Sequence, residues 1–347
     1  MQEPAGLDDL LHSYLKGGPP WTCRSTFHVH GIDLQISTPI PAIDQSVRDM
    51  MGFALTDEES GGADLTMYVI EEAPDSPSIL DRFIGAELVL AWETTGYFVS
   101  GDLCLVDFYP WATAVIDCHR GVALLVLRED ETPPPLIFSN QLFFQTLEVM
   151  LHSRSIYPIH SSVVAMGGRA ALFPAPSGYG KTTLALTMVR AGYHFLGDDK
   201  PAVLSDSNGP RILAFPEPVN GYVDELHRFD ELPHRPHEAF PADFPLKISF
   251  DVETFWPGCV IPSAIPAALF FPDAHDGDGP AANIIEPISG AEGLRHLIEL
   301  NWPVRLPWGF DGFLDTMRDL VEQTPCYQLI CGADLDDLPD RIGELIS

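Results

Sequence analysis

The sequence predicts an α/β protein with two domains, a β-rich α+β domain over residues 1–135 and an α/β domain over residues 136–347. Three observations support this fold class. The length of 347 residues suits two domains or one large one. Strand-like runs separated by turn clusters dominate the first part. The second part alternates strands with helices around a Gly-rich loop (Ala175–Gly180).

The first domain is predicted mainly from short runs with alternating or β-rich composition. Turn clusters rich in Gly, Pro and acids separate the runs. The predicted strands are Ile32–Ser37, Leu65–Ile70, Glu87–Trp92, Tyr97–Tyr109 and Val122–Leu127. The proline-rich segment Glu129–Pro135 then breaks the pattern and marks the predicted linker.

The second domain begins with an apolar face at helical spacing, which predicts a helix over Asn140–Arg154 that leads into this domain. Two apolar strands follow, Ser161–Met166 and Arg169–Pro174, joined by two glycines that signal a hairpin. Helical spacing returns over Thr182–Ala191, after the Gly-rich loop. The remaining predicted strands are His194–Leu196, Ala202–Leu204, Arg211–Phe215 and Tyr327–Cys331, and the remaining helices begin at Ser289, Asp311 and Leu335.

The composition excludes several classes of protein. With 50 acidic and 19 basic side chains, the chain carries a formal charge of −31 and repels phosphate backbones and anionic membranes. We therefore expect neither nucleic acid nor a membrane as a partner. Hydrophobic residues make up 46%, which is enough for a packed core and argues against disorder.

The compartment is predicted from the cysteines and the N-terminus. The six cysteines form no C-x-x-C pair, which favours free thiols in a reducing compartment over disulfides or a zinc site. The N-terminus carries acids where a signal peptide carries positive charge. No apolar run reaches the roughly 18 residues that span a bilayer. We therefore expect a cytoplasmic protein.

The most informative stretch is Ala175–Thr182, which fits the Walker A pattern G-x-x-x-x-G-K-[ST] except that Ala175 replaces the first Gly. Small residues in such a loop let N–H groups surround a phosphate, and the following helix adds its positive end. The Lys places a charge on the β and γ phosphates, and the Thr hydroxyl supplies an oxygen to Mg²⁺. We therefore expect ATP and Mg²⁺ as cofactors, bound through Ser177, Gly178, Tyr179, Gly180, Lys181, Thr182 and Thr183.

Two acids, Asp198 and Asp199, follow the first predicted strand after this helix. In proteins with such a loop, a carboxylate at the end of a neighbouring strand completes the metal site. A second carboxylate can be the base that accepts a proton from an attacking hydroxyl. An acidic turn without function is the alternative, because the chain contains 50 acids.

Together, His160, the Gly-rich loop and the pair Asp198–Asp199 resemble the catalytic domain of HPr kinase/phosphorylase, a bacterial serine kinase. His160 precedes Lys181 by 21 residues and Asp198 follows it by 17, and both spacings are similar to those of the family. The resemblance covers residues 156–205. It implies a P-loop kinase fold of the type shared with ATP-dependent phosphoenolpyruvate carboxykinase.

In size and layout the chain is more similar to the HPr-kinase-related proteins of peptide-modification gene clusters, including the kinases that tailor lasso peptides. The segment Cys326–Leu335 is similar to their C-terminal end. The later signature of the HPr enzyme is not recognisable, and the first domain does not resemble that enzyme's regulatory domain. The resemblance therefore points to a substrate other than HPr.

The resemblance implies a role for each residue of the phosphate-binding and acidic motifs. Lys181 and the backbone of Ser177–Thr183 would hold the β and γ phosphates. Thr182 and Asp199 would bind Mg²⁺, and Asp198 would be the general base toward a Ser or Thr hydroxyl.

Two further residues lie outside these motifs. By the same resemblance, His160 would orient Asp198 or the γ-phosphate; the alternative is a structural core histidine. Glu217 is either a second Mg²⁺ ligand or an ordinary loop acid.

The sequence thus predicts an ATP- and Mg²⁺-dependent kinase that acts on a Ser or Thr of a peptide or small protein, with a lasso-type precursor peptide as one candidate. The first domain is a candidate recognition element. The acidic composition favours a neutral or basic peptide over an acidic one. A small-molecule kinase on the same fold, a nucleotide-binding regulatory or scaffold protein with little catalysis, and homo-oligomerisation stay open.

Overall fold

The structure is a computed structural model of the chain. It describes residues 6–15, 21–57, 62–72, 79–83, 85–92, 94–128, 133–232, 247–273, 282–301, 309–332 and 334–347. The chain divides into two compact units. The first comprises Met1–Arg154 with Val304–Phe310, and the second comprises Ser155–Pro303 with Asp311–Ser347.

One nine-stranded sheet forms the core of the first unit. Its strands are β1 (Cys23–Val29), β2 (Ile32–Thr38), β3 (Leu55–Thr56), β4 (Leu65–Glu71), β5 (Glu87–Trp92), β6 (Thr95–Ser100), β7 (Leu103–Phe108), β8 (Ala112–Asp117) and β9 (Val122–Leu127). They are ordered β3-β1-β2-β4-β9-β8-β7-β6-β5. The strands β5 to β9 form an antiparallel meander, whereas β4 lies parallel to both β2 and β9.

The first unit also contains several helices, and the longer ones contact this sheet. The helices are α1 (Leu7–Leu15), α2 (Pro41–Met51), α3 (Pro135–Ile137) and α4 (Phe144–His152), with a π-helical turn over Phe138–Phe143 and short 3₁₀ turns at Gly52–Ala54 and Ile79–Arg82. The buried face of α2 contains Ile43, Val47 and Met50, which recur at helical spacing. This face contacts β1 and β2.

The first compact unit extends to Arg154, whereas the domain boundary predicted from the sequence follows Pro135. The predicted helix of this region, which the structure places in α4 and the turn before it, belongs to the first unit. The thiol of Cys118 faces the carbonyl oxygen of Val149 at 3.8 Å, and the Tyr97 hydroxyl donates to Oε1 of Gln145 at 3.1 Å. An apolar face shows that a helix is buried, but not which core it fills. Residues 129–132 of the predicted linker lie outside the described residues.

The second unit contains eleven described strands. They are β10 (Ile156–Pro158), β11 (Ser161–Met166), β12 (Arg169–Pro174), β13 (His194–Gly197), β14 (Ala202–Asp206), β15 (Gly209–Leu213), β16 (Val219–Tyr222), β17 (Lys247–Phe250), β18 (Ser263–Asp273), β19 (Ile284–Ile288) and β20 (Cys326–Ile330). The main sheet is ordered β10-β14-β15-β18-β12-β11-β13, and β20 joins it between β18 and β19. The strands β18 and β12, and likewise β18 and β20, are parallel. The strands β16 and β17 form a separate pair.

Both faces of the central strands are buried, because successive side chains on a strand point to opposite faces. Val164 and Phe173 contribute to one core, and Val163 and Leu172 to the other. Helices that contribute to these cores cover each face. The helices of the unit are α5 (Lys181–Arg190), α6 (Val223–Leu226), α7 (Val252–Phe255), α8 (Gly290–Leu300), α9 (Phe310–Gln323) and α10 (Leu338–Ile346). α5 and α10 contribute to the first core, whereas α8 and α9 contribute to the second.

Several local predictions are confirmed. The glycines between β11 and β12 have left-handed φ angles of 58° and 79°, as a tight hairpin requires. Ser289 caps α8, because its hydroxyl accepts a hydrogen bond from the Glu292 N–H at 3.2 Å. The predicted strand Tyr97–Tyr109 is instead two strands, since Gly101 turns the chain with a φ of 59°.

Two further expectations, about the cysteines and about membrane-spanning segments, can be compared with the structure. All six cysteines are free thiols. Four of them, Cys104, Cys118, Cys259 and Cys326, are buried. Within the described ranges, no helix combines the length and the apolar character needed to cross a membrane.

Candidate functional site

The Gly-rich loop connects the end of β12 to the start of α5. Gly178 and Gly180 adopt left-handed φ angles of 85° and 79°, which glycine reaches without strain. No described side chain caps the N-terminus of α5, where Gly180 is the N-cap residue. The first N–H groups of the helix therefore face an exposed loop, and the helix dipole favours an anion there.

Lys181, the first residue of α5, is only 5% exposed. Its ammonium lies 3.0 Å from Nε2 of His160 and 3.3 Å from Oδ1 of Asp199. It also donates to the carbonyl oxygen of Pro176, in the loop, at 3.2 Å. These contacts hold a positive charge against the loop, close to the positive end of the helix.

His160 directly precedes β11, and its ring is the group that the Lys181 ammonium contacts. Its backbone N–H donates to Oδ1 of Asn301 at 2.5 Å, which connects it to the end of α8. Its Nδ1 lies 3.4 Å from Oδ1 of Asp199. Burial lowers the pKa of His160; the Asp199 carboxylate opposes this, and Lys181 and Lys200 reinforce it. A neutral ring can accept the hydrogen bond from Lys181.

Asp198 follows β13 and is 5% exposed. Its Oδ1 accepts a hydrogen bond from the Ser162 hydroxyl, and its Oδ2 accepts one from Oγ1 of Thr182 at 2.6 Å. Burial raises the pKa of Asp198 to about 6; Asp199 adds to the rise, while the two hydroxyls and Lys181 oppose it. Hydroxyls from β11 and α5 therefore fix the orientation of this carboxylate.

Asp199 has a left-handed backbone with a φ of 72°, which is uncommon outside glycine but tolerated by Asp. Its N–H donates to the carbonyl oxygen of Ser161 at 3.1 Å. Its side chain is 49% exposed. Burial alone would raise the pKa of Asp199, but Lys181 and His160 outweigh this effect and lower it. The adjacent carboxylates thus differ, since Asp198 is buried between hydroxyls and Asp199 lies beside cations and solvent.

Lys200 and Glu217 form a buried ion pair beside this turn. Their side chains are 10% and 6% exposed, and the Lys200 ammonium donates to Oε2 of Glu217. Burial raises the pKa of Glu217 to about 7, against the opposing effect of Lys200. The carboxylate predicted as a second Mg²⁺ ligand is therefore already paired with a cation of the chain itself.

Two oxygens beside the loop offer a place for a divalent cation, Oγ1 of Thr182 and Oδ2 of Asp198. In the part of the chain that the structure describes, no group of three or more His, Cys, Asp or Glu side chains is arranged to hold a metal ion. Mg²⁺ does not need such a group, because it keeps several waters and takes one or two carboxylates together with phosphate oxygens. The donor set fits Mg²⁺ that arrives with a nucleotide.

The structure brings together five of the residues that the sequence singled out: His160, Lys181, Thr182, Asp198 and Asp199. The resemblance implied that Thr182 and Asp199 bind Mg²⁺, and in the structure the Thr182 hydroxyl donates to Asp198. The left-handed turn at Asp199 directs the two carboxylates to different partners. Of the remaining loop residues, Ser177, Gly178 and Tyr179 are exposed, whereas Thr183 is buried in the first turn of α5.

Sequence reasoning assigned no role to Ser162 or Asn301, and it left open whether Lys200 offsets the repulsion between the two aspartates or is solvated. The role of Ser162 could have been suspected from the sequence, because a buried hydroxyl in an otherwise apolar strand needs a hydrogen-bond partner. The indication for Lys200 was weaker, and it consisted only of the rarity of lysine, since the chain has four. Nothing in the sequence pointed to Asn301, since its contact with His160 joins positions 141 residues apart.

Comparison with known proteins adds a distant structural likeness. The Hpr(Ser) kinase/phosphatase from Coxiella burnetii is similar to this chain over 55% of this chain and 93% of that chain, with 12% identity and a TM-score of 0.28. A likeness at this level carries no argument about the site or its activity. No family model matches the chain, and no curated protein matches it either.

Proposed function

We propose that the chain is an ATP- and Mg²⁺-dependent kinase that transfers the γ-phosphate to a Ser or Thr hydroxyl of a peptide or small protein. The observation that carries the proposal is that Lys181, Thr182 and the pair Asp198–Asp199 meet beside the uncapped start of α5. Phosphoryl transfer depends almost entirely on positioning and on the stabilisation of charge. The residues of this site are suited to both.

The Gly-rich loop would bind the phosphates of ATP. The backbone N–H groups of Ser177–Thr183 would donate to phosphate oxygens, as at other helix N-termini that hold anions. Lys181 would add its charge at the β and γ phosphates. Its ammonium already lies against the loop carbonyl of Pro176, so it is close to the phosphates in this arrangement.

Thr182 and Asp198 would hold Mg²⁺. Because the Thr182 hydroxyl donates its proton to Asp198, its lone pairs remain for the cation. Held by these two side chains, Mg²⁺ would supply positive charge that offsets the negative charge of the phosphates. The sequence analysis assigned Mg²⁺ to Thr182 and Asp199. The contact between Thr182 and Asp198 favours Asp198 as the Mg²⁺ ligand in place of Asp199.

Asp199 would then be the general base instead of Asp198. A base must come within hydrogen-bond distance of the acceptor hydroxyl. The half-exposed carboxylate of Asp199 meets this need better than that of Asp198, which is buried between two hydroxyls. The acceptor oxygen forms a bond to the γ-phosphorus, the bond from phosphorus to the ADP oxygen breaks, and the hydroxyl proton passes to Asp199. His160, at 3.4 Å, would orient this carboxylate.

The partners in this proposal follow from the charge of the chain and from the resemblance. A net charge of −31 favours a neutral or basic acceptor peptide, and a lasso-type precursor peptide is the first candidate. The first unit is the candidate recognition element. The six free thiols are compatible with a cytoplasmic location.

The test is incubation of the purified chain with γ-labelled ATP, Mg²⁺ and the peptide encoded by the neighbouring gene. We expect one phosphate on a Ser or Thr of the peptide, located by mass spectrometry, and much slower labelling with a Lys181→Met variant. Label on a small molecule alone would favour the small-molecule kinase. ATP binding without any transfer would favour the regulatory protein, and absence of ATP binding would contradict all three functions.

A further inference from the structure

The turn that carries both aspartates rests against a second segment of the chain, Phe215–Pro218. The N–H of Phe215 donates to the carbonyl oxygen of Leu196 at 2.8 Å. Gly197 approaches this segment so closely that a Cβ there would lie 2.6 Å from the carbonyl oxygen of Phe215. The start of the turn is therefore fixed by close packing of backbone on backbone.

The end of the turn is held differently, by the ion pair of Lys200 and Glu217. Two prolines flank Glu217 and restrict its backbone, and its N–H donates to the carbonyl oxygen of Phe215 at 2.9 Å. The ammonium of Lys200 reaches this restrained carboxylate while both side chains are buried. A buried charge that lost its partner would be strongly disfavoured, so the two segments are held together.

Asp199 lies between these two attachments in a conformation that needs support. A left-handed φ of 72° on a residue with a side chain persists only where the surroundings determine it. The hydrogen bond from its N–H to Ser161 supports it on one side. On the other side the next residue is Lys200, whose side chain is held by Glu217.

We propose that the Lys200–Glu217 ion pair is a positioning device that keeps Asp199 in its left-handed conformation, with its carboxylate on Lys181 and His160, and that Glu217 is not a metal ligand. The catalytic consequence rests on the proposed kinase function. The effect of the ion pair on the backbone of the turn does not rest on that function. It can be measured without any substrate.

The experiment compares three full-length variants with the wild type. Lys200→Met removes the charge and keeps the apolar length, Lys200→Arg keeps the charge, and Glu217→Gln keeps an acceptor for Lys200. Hydrogen exchange of the amides of Asp198, Asp199 and Lys200 reports the turn. The kcat, the KM for ATP and the Mg²⁺ concentration for half-maximal rate report the chemistry.

For Lys200→Met we expect faster exchange in the turn and a kcat that falls about tenfold or more, with the KM for ATP little changed. Lys200→Arg should recover most of both losses. Glu217→Gln should lower kcat less than Lys200→Met does, without a shift in the Mg²⁺ requirement. Unchanged exchange in Lys200→Met, or a raised Mg²⁺ requirement in Glu217→Gln, would overturn the proposal.

Arg128→Met in the first unit is the matched control for loss of a partly buried cation, since Arg128 pairs with Asp107. It should alter neither the exchange of the turn nor kcat. If the wild type transfers no phosphate, the kinase function fails, and the exchange data still decide whether the ion pair holds the turn.

Discussion

Acidic side chains are paired with cations differently in the two units. In the first unit, Asp44 accepts hydrogen bonds from Ser25 and Arg48, and Asp107 pairs with Arg128. Each of these carboxylates has a cation of its own. In the second unit, three carboxylates lie among two lysines beside the Gly-rich loop, which leaves negative charge that a divalent cation can offset. The comparison separates acids that stabilise a fold from acids arranged around a site.

The largest effect should come from Asp199, the proposed general base. Asp199→Asn should lower kcat by about 10²- to 10⁴-fold and leave ATP binding nearly intact, because a positioned base is lost while the phosphate contacts remain. Phosphotransfer kinetics and calorimetric ATP binding check this. Asp198→Asn should act differently, by raising the Mg²⁺ concentration needed. Equal phenotypes for the two variants would contradict the exchanged roles.

The next effect should come from the cation at the loop. Lys181→Met should lower kcat/KM by about 10²- to 10³-fold, since it removes a charge directed at the developing negative charge of the transition state. Steady-state kinetics measure this. Arg48→Met, which removes a cation paired with Asp44 in the first unit, should leave the kinetics unchanged. A similar kinetic defect in both variants would show that loss of a paired cation affects catalysis equally in either unit.

A smaller effect should come from Ser162, whose hydroxyl holds Asp198. Ser162→Ala should raise the Mg²⁺ requirement or lower kcat by about 10- to 100-fold, as losses of such supporting hydrogen bonds do. Titration of the rate with Mg²⁺ is the measurement. Ser161→Ala is the matched control, because this neighbouring serine is equally buried and its hydroxyl bonds only to the adjacent carbonyl among the contacts described for it. Similar losses in both would contradict a specific role for Ser162.

The smallest effect on activity, and a distinct effect on stability, should come from His152 in the first unit. Burial lowers the pKa of His152 from 6.5 to about 4, so the folded chain binds fewer protons there than the unfolded chain. Stability is therefore retained above the unfolded pKa and lost as pH falls from 6.5 towards 4. The loss should reach about 3 kcal/mol, as measured by urea unfolding. His152→Gln should flatten this dependence; an unaltered profile would contradict it.

The sequence was informative where the chemistry is local. The Gly-rich loop, the hairpin of two glycines and the cap at Ser289 each depend on a few neighbouring residues, and each appears in the structure where the pattern predicts it. The family resemblance implied that His160 orients Asp198 or the γ-phosphate, whereas the structure places its ring 3.0 Å from the Lys181 ammonium and 3.4 Å from Oδ1 of Asp199.

The sequence was silent where the geometry depends on distant residues. Which aspartate meets Thr182 depends on the left-handed turn at Asp199, and nothing in two adjacent acids shows that turn. The pairing of Lys200 with Glu217 depends on β13 and the segment after β15 lying side by side. The boundary at Arg154 depends on which of two apolar cores the preceding helix fills.

The left-handed backbone of Asp199 has a consequence for stability that can be measured apart from the role of its carboxylate. Asp199→Gly and Asp199→Ala lose the same carboxylate, but only glycine relieves the backbone strain. The glycine variant should therefore be about 1 kcal/mol more stable than the alanine variant in chemical denaturation, although both lack the base. Equal stabilities would show that the turn is unstrained. Once the carboxylate is lost, selection for stability alone would therefore favour glycine over alanine at this position.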